Sequence, residues 1–220
     1  MEALKVGTRR SPLALRQVDE VLRHLSEFYP QISIEVIGID TYGDMNKVTP
    51  ISHIEGTDFF TREVEDALLT GRVDFAVHSA KDMPDKMRVG LCIAAVTRPI
   101  DNSDALVSKD GLKIEDLKNG ARIGASSRRR KSQLKRYRED FQVVDIRGTI
   151  EERLGKMESE GLDAVIVASC AMMRLGSEER ITQRMPGDIL TPHPLQGALA
   201  IEVRQDDRRL RDMLGVLNDR

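Results

Sequence analysis

The sequence predicts an α/β protein of two lobes joined by two crossings. Short apolar runs that read as strands alternate with stretches of helical spacing, which argues for a largely parallel sheet with helices on both faces. Two Pro-containing segments, Arg98-Pro99-Ile100-Asp101-Asn102 and Thr191-Pro192-His193-Pro194, break that alternation and read as hinges. With 220 residues, 40% of them hydrophobic, the chain has material for two separate cores. The expected division is residues 1–98 with 195–220 as one lobe and 99–194 as the other.

Leu4-Lys5-Val6-Gly7-Thr8 reads as the first strand. Ser11 suits an N-cap, and Pro12 suits the first helical position, where its missing N–H needs no partner. Leu15, Val18, Leu22 and Leu25 follow at helical spacing, and the helix stops before Pro30. Arg9 and Arg10 fall in the turn, beside a helix start that already attracts anions. Ile32, Ile34 and Val36 alternate as a second strand running towards Asp40. Residues 41–58 show no period and are expected to form a flexible cover over a cleft.

Phe59-Phe60 opens a helix to about Leu69, with Phe60, Val64 and Leu68 on one face. The run Asp74-Phe75-Ala76-Val77 reads as a buried strand leading into His78-Ser79-Ala80-Lys81-Asp82-Met83-Pro84. Pro84 biases Met83 towards extended backbone. Lys81 and Asp82 therefore sit at the carboxyl end of a strand, where open α/β sheets gather ligands. A further strand follows at Leu91–Val96. The second lobe repeats the pattern: strand 121–125, helix from Ser126, strand 142–146, helix 149–160, strand 164–168. After the return hinge come a strand at 198–203 and a helix at 206–217, with Leu210, Met213, Leu214 and Leu217 as its apolar face.

The formal net charge of −2 gives no global attraction to nucleic acid or anionic membrane. No run of about 18 apolar residues exists to span a membrane, and no apolar leader follows Met1. Cys92 and Cys170 lie in apolar runs outside any CxxC pair, so no metal or redox site is expected. They read as buried, reduced cysteines of a cytoplasmic protein.

The arginines are concentrated at turns. Ser126-Ser127-Arg128-Arg129-Arg130 follows Gly124-Ala125, and Arg147-Gly148-Thr149 lies at the next strand-to-helix turn, with Arg153 one turn on. Serine hydroxyls, helix N-termini and guanidinium forks suit a small polyanion. With aromatics at 4%, stacking on nucleic-acid bases is disfavoured. Removing Arg129 or Arg147 is expected to weaken anion binding with little loss of stability.

Thr8-Arg9-Arg10-Ser11-Pro12-Leu13-Ala14-Leu15, the segment His78–84, Gly124 to Arg130, Arg147-Gly148-Thr149 and Gln196-Gly197-Ala198 together resemble the porphobilinogen deaminase (hydroxymethylbilane synthase) family, in the family's order. The resemblance implies two periplasmic-binding-protein-like lobes and a small third domain. It implies head-to-tail joining of four porphobilinogen molecules with loss of ammonia, in tetrapyrrole biosynthesis. It also implies a dipyrromethane cofactor on a cysteine of the third domain. By the same resemblance Asp82 is the catalytic aspartate. Lys81, Ser11, Ser126, Ser127, Arg129 and Arg130 handle the cofactor, and Arg9, Arg147, Arg153, Phe60 and Gln196 the substrate.

Two departures stand out. The family's third domain and its cysteine have no counterpart after Leu217-Asn218-Asp219-Arg220, so a separate chain is expected to supply them. The family's Gly-Lys-Gly appears as Gly56-Thr57-Asp58. The competing expectation is a non-catalytic binder of a pyrrole carboxylate or another small polyanion.

Overall fold

In the computed structural model, which describes residues 3–46, 49 and 57–219, β1 (Leu4–Arg9) runs into α1 (Pro12–Phe28) through Arg10 and Ser11. Ser11 is extended, and its Oγ accepts from the Ala14 N–H at 3.3 Å. The buried stripe of α1 is Ala14, Val18, Val21 and Leu25. Leu15 is 40% exposed, so the apolar face is rotated from the expected one and Val21 takes the inner position. Full burial of side chains such as Val21 and Leu25 is worth about 1.5–3 kcal/mol each.

β2 (Ile34–Ile39) follows, then the short α2 (Tyr42–Met45), α3 (Arg62–Leu69), β3 (Phe75–Ser79) and β4 (Leu91–Val96). α3 begins at Arg62; Phe59 and Phe60 belong to the turn before it. Of the cover expected over 41–58, residues 47, 48 and 50–56 lie outside the described residues, as do Met1 and Glu2. Gly56 of the Gly56-Thr57-Asp58 departure is among them. The segment 101–196 contributes β5 (Asp104–Ser108), β6 (Arg122–Ala125), α4 (Arg128–Tyr137), β7 (Gln142–Asp145), α5 (Ile150–Ser159), β8 (Ala164–Ala168), α6 (Ser169–Arg174) and β9 (Gln183–Arg184). β10 (Leu199–Arg204) and α7 (Arg208–Leu214) close the chain, with a 3-10 turn at Gly215–Leu217.

The chain divides into two units: Met1–Met45, Gly56–Ile100 and Gly197–Arg220 in the first, Asn46–Glu55 and Asp101–Gln196 in the second. The first unit's sheet runs β2-β1-β3-β10-β4, and the second's β7-β6-β8-β5-β9. Neither is largely parallel, contrary to expectation. β10 is antiparallel to both β3 and β4, and β5 is antiparallel to both β8 and β9. In each sheet the inserted strand comes from a crossing segment, so it enters from the opposite end.

In the first unit one sheet face packs Val6, Val77, Ile201 and Val203 against α1 and α7. The other packs Ile39, Ala76 and Leu91 against Val64 and Leu68 of α3. The second unit's core includes Leu106, Ile123 and Ile166 with Leu134, Phe141 and Leu190. All five residues of β8 are buried, as suits a central strand covered on both faces. Among the described residues no helix is long and apolar enough to cross a membrane.

Candidate active site

At the carboxyl end of β3 the chain tightens into a 3-10 turn, Ala80–Asp82. The Ala80 N–H donates to the Ala198 carbonyl at 3.0 Å, which fastens the turn to the start of β10. Met83 is extended (φ −66°, ψ 143°) ahead of Pro84, as the sequence requires. Lys81 and Asp82 are both half-buried. Asp82 faces a small pocket of about 50 Å³, to which Arg9, Ser11, Gln17, Phe60 and His78 also contribute. Among the described residues, the Asp82 carboxylate has no hydrogen-bond or ion-pair partner.

The other pocket groups are fixed in place. Arg9 grips the Asp44 carboxylate with both Nε, at 3.1 Å, and Nη2. Its guanidinium carbon lies 4.5 Å from the centre of the Phe60 ring, in cation–π range. Burial pushes the Asp44 carboxyl up, but the Arg9 and Thr41 hydrogen bonds and the Arg9 charge outweigh it and hold the group below the usual carboxylate range. Gly43 makes this possible: a Cβ there would stand 2.3 Å from Phe60 Cδ1. The buried Gln17 donates from Nε2 to Ser79 Oγ at 2.8 Å. Neither Asp44 nor Gln17 was singled out in the sequence. Asp44 lies in an aperiodic stretch, and Gln17 reads as an ordinary helix residue. Asp58, in the departure from the family's Gly-Lys-Gly, pairs at 2.8 Å with exposed Arg62.

In the second unit Ser126 and Ser127 separate in role. Ser127 caps α4, accepting from the Arg130 N–H at 3.3 Å. Buried Ser126 donates to the Ile146 carbonyl at 2.8 Å. Of the three arginines, Arg129 and Arg130 both turn onto one buried acid, Asp104. Arg130 holds it through Nε at 3.0 Å and Nη2 at 2.5 Å, and Arg129 through Nη2 at 2.8 Å. Gln196, fully buried, adds Nε2 at 2.9 Å and also donates to the Asn102 and Ser103 carbonyls. Burial pushes the Asp104 carboxyl up, but the two guanidinium groups overcome it and bring its pKa to about 2.

At the next turn Arg147 donates to the Asn46 carbonyl at 2.8 Å and Arg153 to the Gly148 carbonyl at 2.8 Å. A reciprocal capping box between Thr149 and Glu152 starts α5. The structure thus brings Arg9, Ser11, Phe60 and Asp82 to one pocket of the first unit. It joins Arg129, Arg130 and Gln196 in one network of the second. Asp104, the centre of that network, was missed. Its sequence signal was an acid at the head of an apolar run, Asp104-Ala105-Leu106-Val107, following a hinge.

Fold and site together define a two-lobed α/β protein with turn-borne cations at strand ends. Among solved structures the chain resembles the methionine-binding protein MetQ, with a TM-score of 0.60 at 10% identity, covering 98% of this chain and 89% of that one. It also resembles an arginine-specific periplasmic binding protein of Salmonella typhimurium, with a TM-score of 0.51 at 14% identity, over 99% and 92% of the two chains. Those likenesses show the fold alone. The family model described as porphobilinogen deaminase, dipyrromethane cofactor binding domain, matches residues 4–212. Curated relatives include the porphobilinogen deaminases of Natranaerobius thermophilus and Paenibacillus macerans, each 43% identical. They cover 98% and 97% of this chain, which spans 70% and 67% of their own lengths. The chain belongs to the porphobilinogen deaminase family.

Proposed function

We infer that Asp82 is the catalytic carboxylate of this chain and that the pocket beside it receives the reacting pyrrole. The function is hydroxymethylbilane synthase-like: a transferase of tetrapyrrole biosynthesis whose substrate is porphobilinogen. The observation that carries the assignment of Asp82 is its half-buried carboxylate, without a protein partner among the described residues, at a strand end facing a pocket. Loss of ammonia from the aminomethyl group leaves positive charge spread over the pyrrole. A fixed carboxylate that accepts the pyrrole N–H stabilises that charge as it develops. The same group is placed to move protons between substrate and solvent.

The residues of the second unit fit the dipyrromethane named by the family model. Its carboxylates call for charge-assisted N–H donors, and the turns ending β6 and β7 offer Ser127, Arg129, Arg147 and Arg153 beside two helix N-termini. When bound, the group supplies the acceptor pyrrole from which the product grows. Arg130 we assign to holding Asp104 and Gln196, since its donors are directed to Asp104, Ile166 and Gln196. Arg9, fixed by Asp44 and Phe60, binds a substrate carboxylate through the edge left to it. Lys81, next to Asp82, adds a cation to the same strand end. Covalent attachment falls to a thiol outside these 220 residues, which a separate chain can contribute. We place the reaction in the cytoplasm, where Cys92 and Cys170 stay reduced.

The test is calorimetric binding of porphobilinogen together with ammonia release, on the chain alone and with added cysteine-bearing segment. Binding with ammonia release in the completed protein supports the reading. Binding that never releases ammonia assigns the chain as a pyrrole-carboxylate binder instead.

A further inference from the structure

Behind the Asp82 pocket, on the face of the first sheet covered by α3, lies a group of buried ionisable side chains that the proposed chemistry does not use. His78 of β3 and Glu202 of β10 stand diagonally across an antiparallel pair, since Ala200 opposes His78 and Glu202 opposes Ala76. His78 Nε2 is 3.1 Å from Glu202 Oε2. Glu65, on the inner face of α3, is 1% exposed and Glu202 0%. Two carboxylate oxygens here lack a partner among the described residues: Glu65 Oε1 and Glu202 Oε1. Two buried carboxylates cannot both stay charged beside one imidazole without large desolvation, and orphaned buried acceptors call for a proton or a bound water. Thr61 and His78 also line the pocket that Asp82 faces.

We propose that Glu65, Glu202 and His78 form a proton-holding unit, one proton being shared between the two carboxylates and exchanged with the pocket through His78. This rests on the reading of Asp82 given above. Joining two pyrroles breaks the aminomethyl C–N bond and one C–H bond at the acceptor's α-carbon. It forms one C–C bond and releases ammonia. The unit gives its proton to the departing amine nitrogen and regains one from the α-carbon, so atoms and charge balance over each cycle. Burial pushes the Glu65 carboxyl up, and the Glu202 charge adds to that, against the pull of the Thr61 hydroxyl, His78 and Arg88. The charged or titratable neighbours on the packed elements are therefore Glu65 from α3, His78 from β3, Glu202 from β10 and Arg88 ahead of β4, while the Cys92 thiol of β4 also feels Glu202.

The test is carbon-13 NMR of the protein labelled at glutamate carboxyls, titrated across neutral pH, with Glu65→Gln to assign the signal. The expected result is a Glu65 carboxyl still protonated well above the ordinary Glu value of about 4.3. In the completed enzyme, Glu65→Gln should lower kcat about a hundredfold with KM unchanged, in the range of general acid–base effects. A Glu65 signal already ionised at neutral pH overturns the proposal, and so does unchanged kcat. If Glu65→Gln does not fold, titration of the labelled native protein decides, read against Glu202→Gln for assignment. Full turnover by Asp82→Asn would remove the reading of Asp82 and leave the Glu65 titration standing. A lost Asp82→Asn turnover with an ionised Glu65 would remove only the proton-holding unit.

Discussion

Asp82 and Asp104 are both acids near strand ends, yet they are built for different work. Asp82 has a pocket before it and no protein cation on it among the described residues. Replacing it with Asn keeps the shape and removes the charge, so turnover should fall by about a hundredfold or more while porphobilinogen still binds. Ammonia release set beside calorimetric affinity checks this. Asp104 is fully buried between two guanidinium groups. Asp104→Asn takes from both the carboxylate they share, and breaking a buried pair of this kind costs about 3–5 kcal/mol, which denaturant unfolding would read directly. Its pH dependence has a definite sign. The folded pKa of about 2 lies below the ordinary Asp value of 3.8, so the stabilisation is present above about 4 and is lost as pH falls towards 2. A shift of that size is worth on the order of 2 kcal/mol. Acid unfolding of the native chain should steepen in that window, and that of Asp104→Asn should not. The same bonds correct the expectation that Arg129 can be removed with little loss of stability. Asp82 and Arg9 were legible because local motifs put them at a strand end and a turn. The Asp104 network was not, because its members are far apart in the chain and only the fold brings them together.

The elements that follow local rules were the ones legible in sequence. α1 has its cap, its N-terminal Pro and its spacing, and it forms where those signals place it. β5, α6 and β9 went unread for a physical reason. β5 is five residues emerging from a hinge, β9 only two, and α6 follows directly on β8 within one continuous apolar run. Short buried runs carry no period that separates strand from helix. The turn after β7 ties an element boundary to two of the candidate arginines. Gly148 has φ +112°, and a Cβ there would lie 2.4 Å from a Glu152 carboxylate oxygen. Gly148→Ala therefore strains the backbone and breaks the capping box at once. We expect a loss of about 1–3 kcal/mol of stability. Weaker binding of an acidic pyrrole should accompany it, because Arg147 precedes this residue and Arg153 bonds to its carbonyl. Thermal unfolding and calorimetry on the same variant separate the two effects.

At the scale of the molecule, each unit has its own sheet, its own core and one cysteine. A thiol that carries a cofactor must be reachable and must reach the thiolate form, since the thiolate is the nucleophile. Cys170, at the start of α6, is 4% exposed and packed in the second unit's interior. Cys92, on β4, is only half-buried, which corrects the expectation that both cysteines are fully enclosed. Its thiol is nonetheless pushed up by burial, which outweighs the relief from Arg211, and the Glu202 charge adds a smaller push in the same direction. Neither unit therefore offers a thiol suited to forming a thioether with dipyrromethane. The 220-residue chain, purified by itself from cells that make porphobilinogen, should show its unmodified mass, and adding a chain that bears a carrier cysteine should place the adduct on that chain. An increment of two pyrrole units mapped to Cys92 or Cys170 would show that one of these thiols is activated in a way that neither its burial nor its neighbours provide.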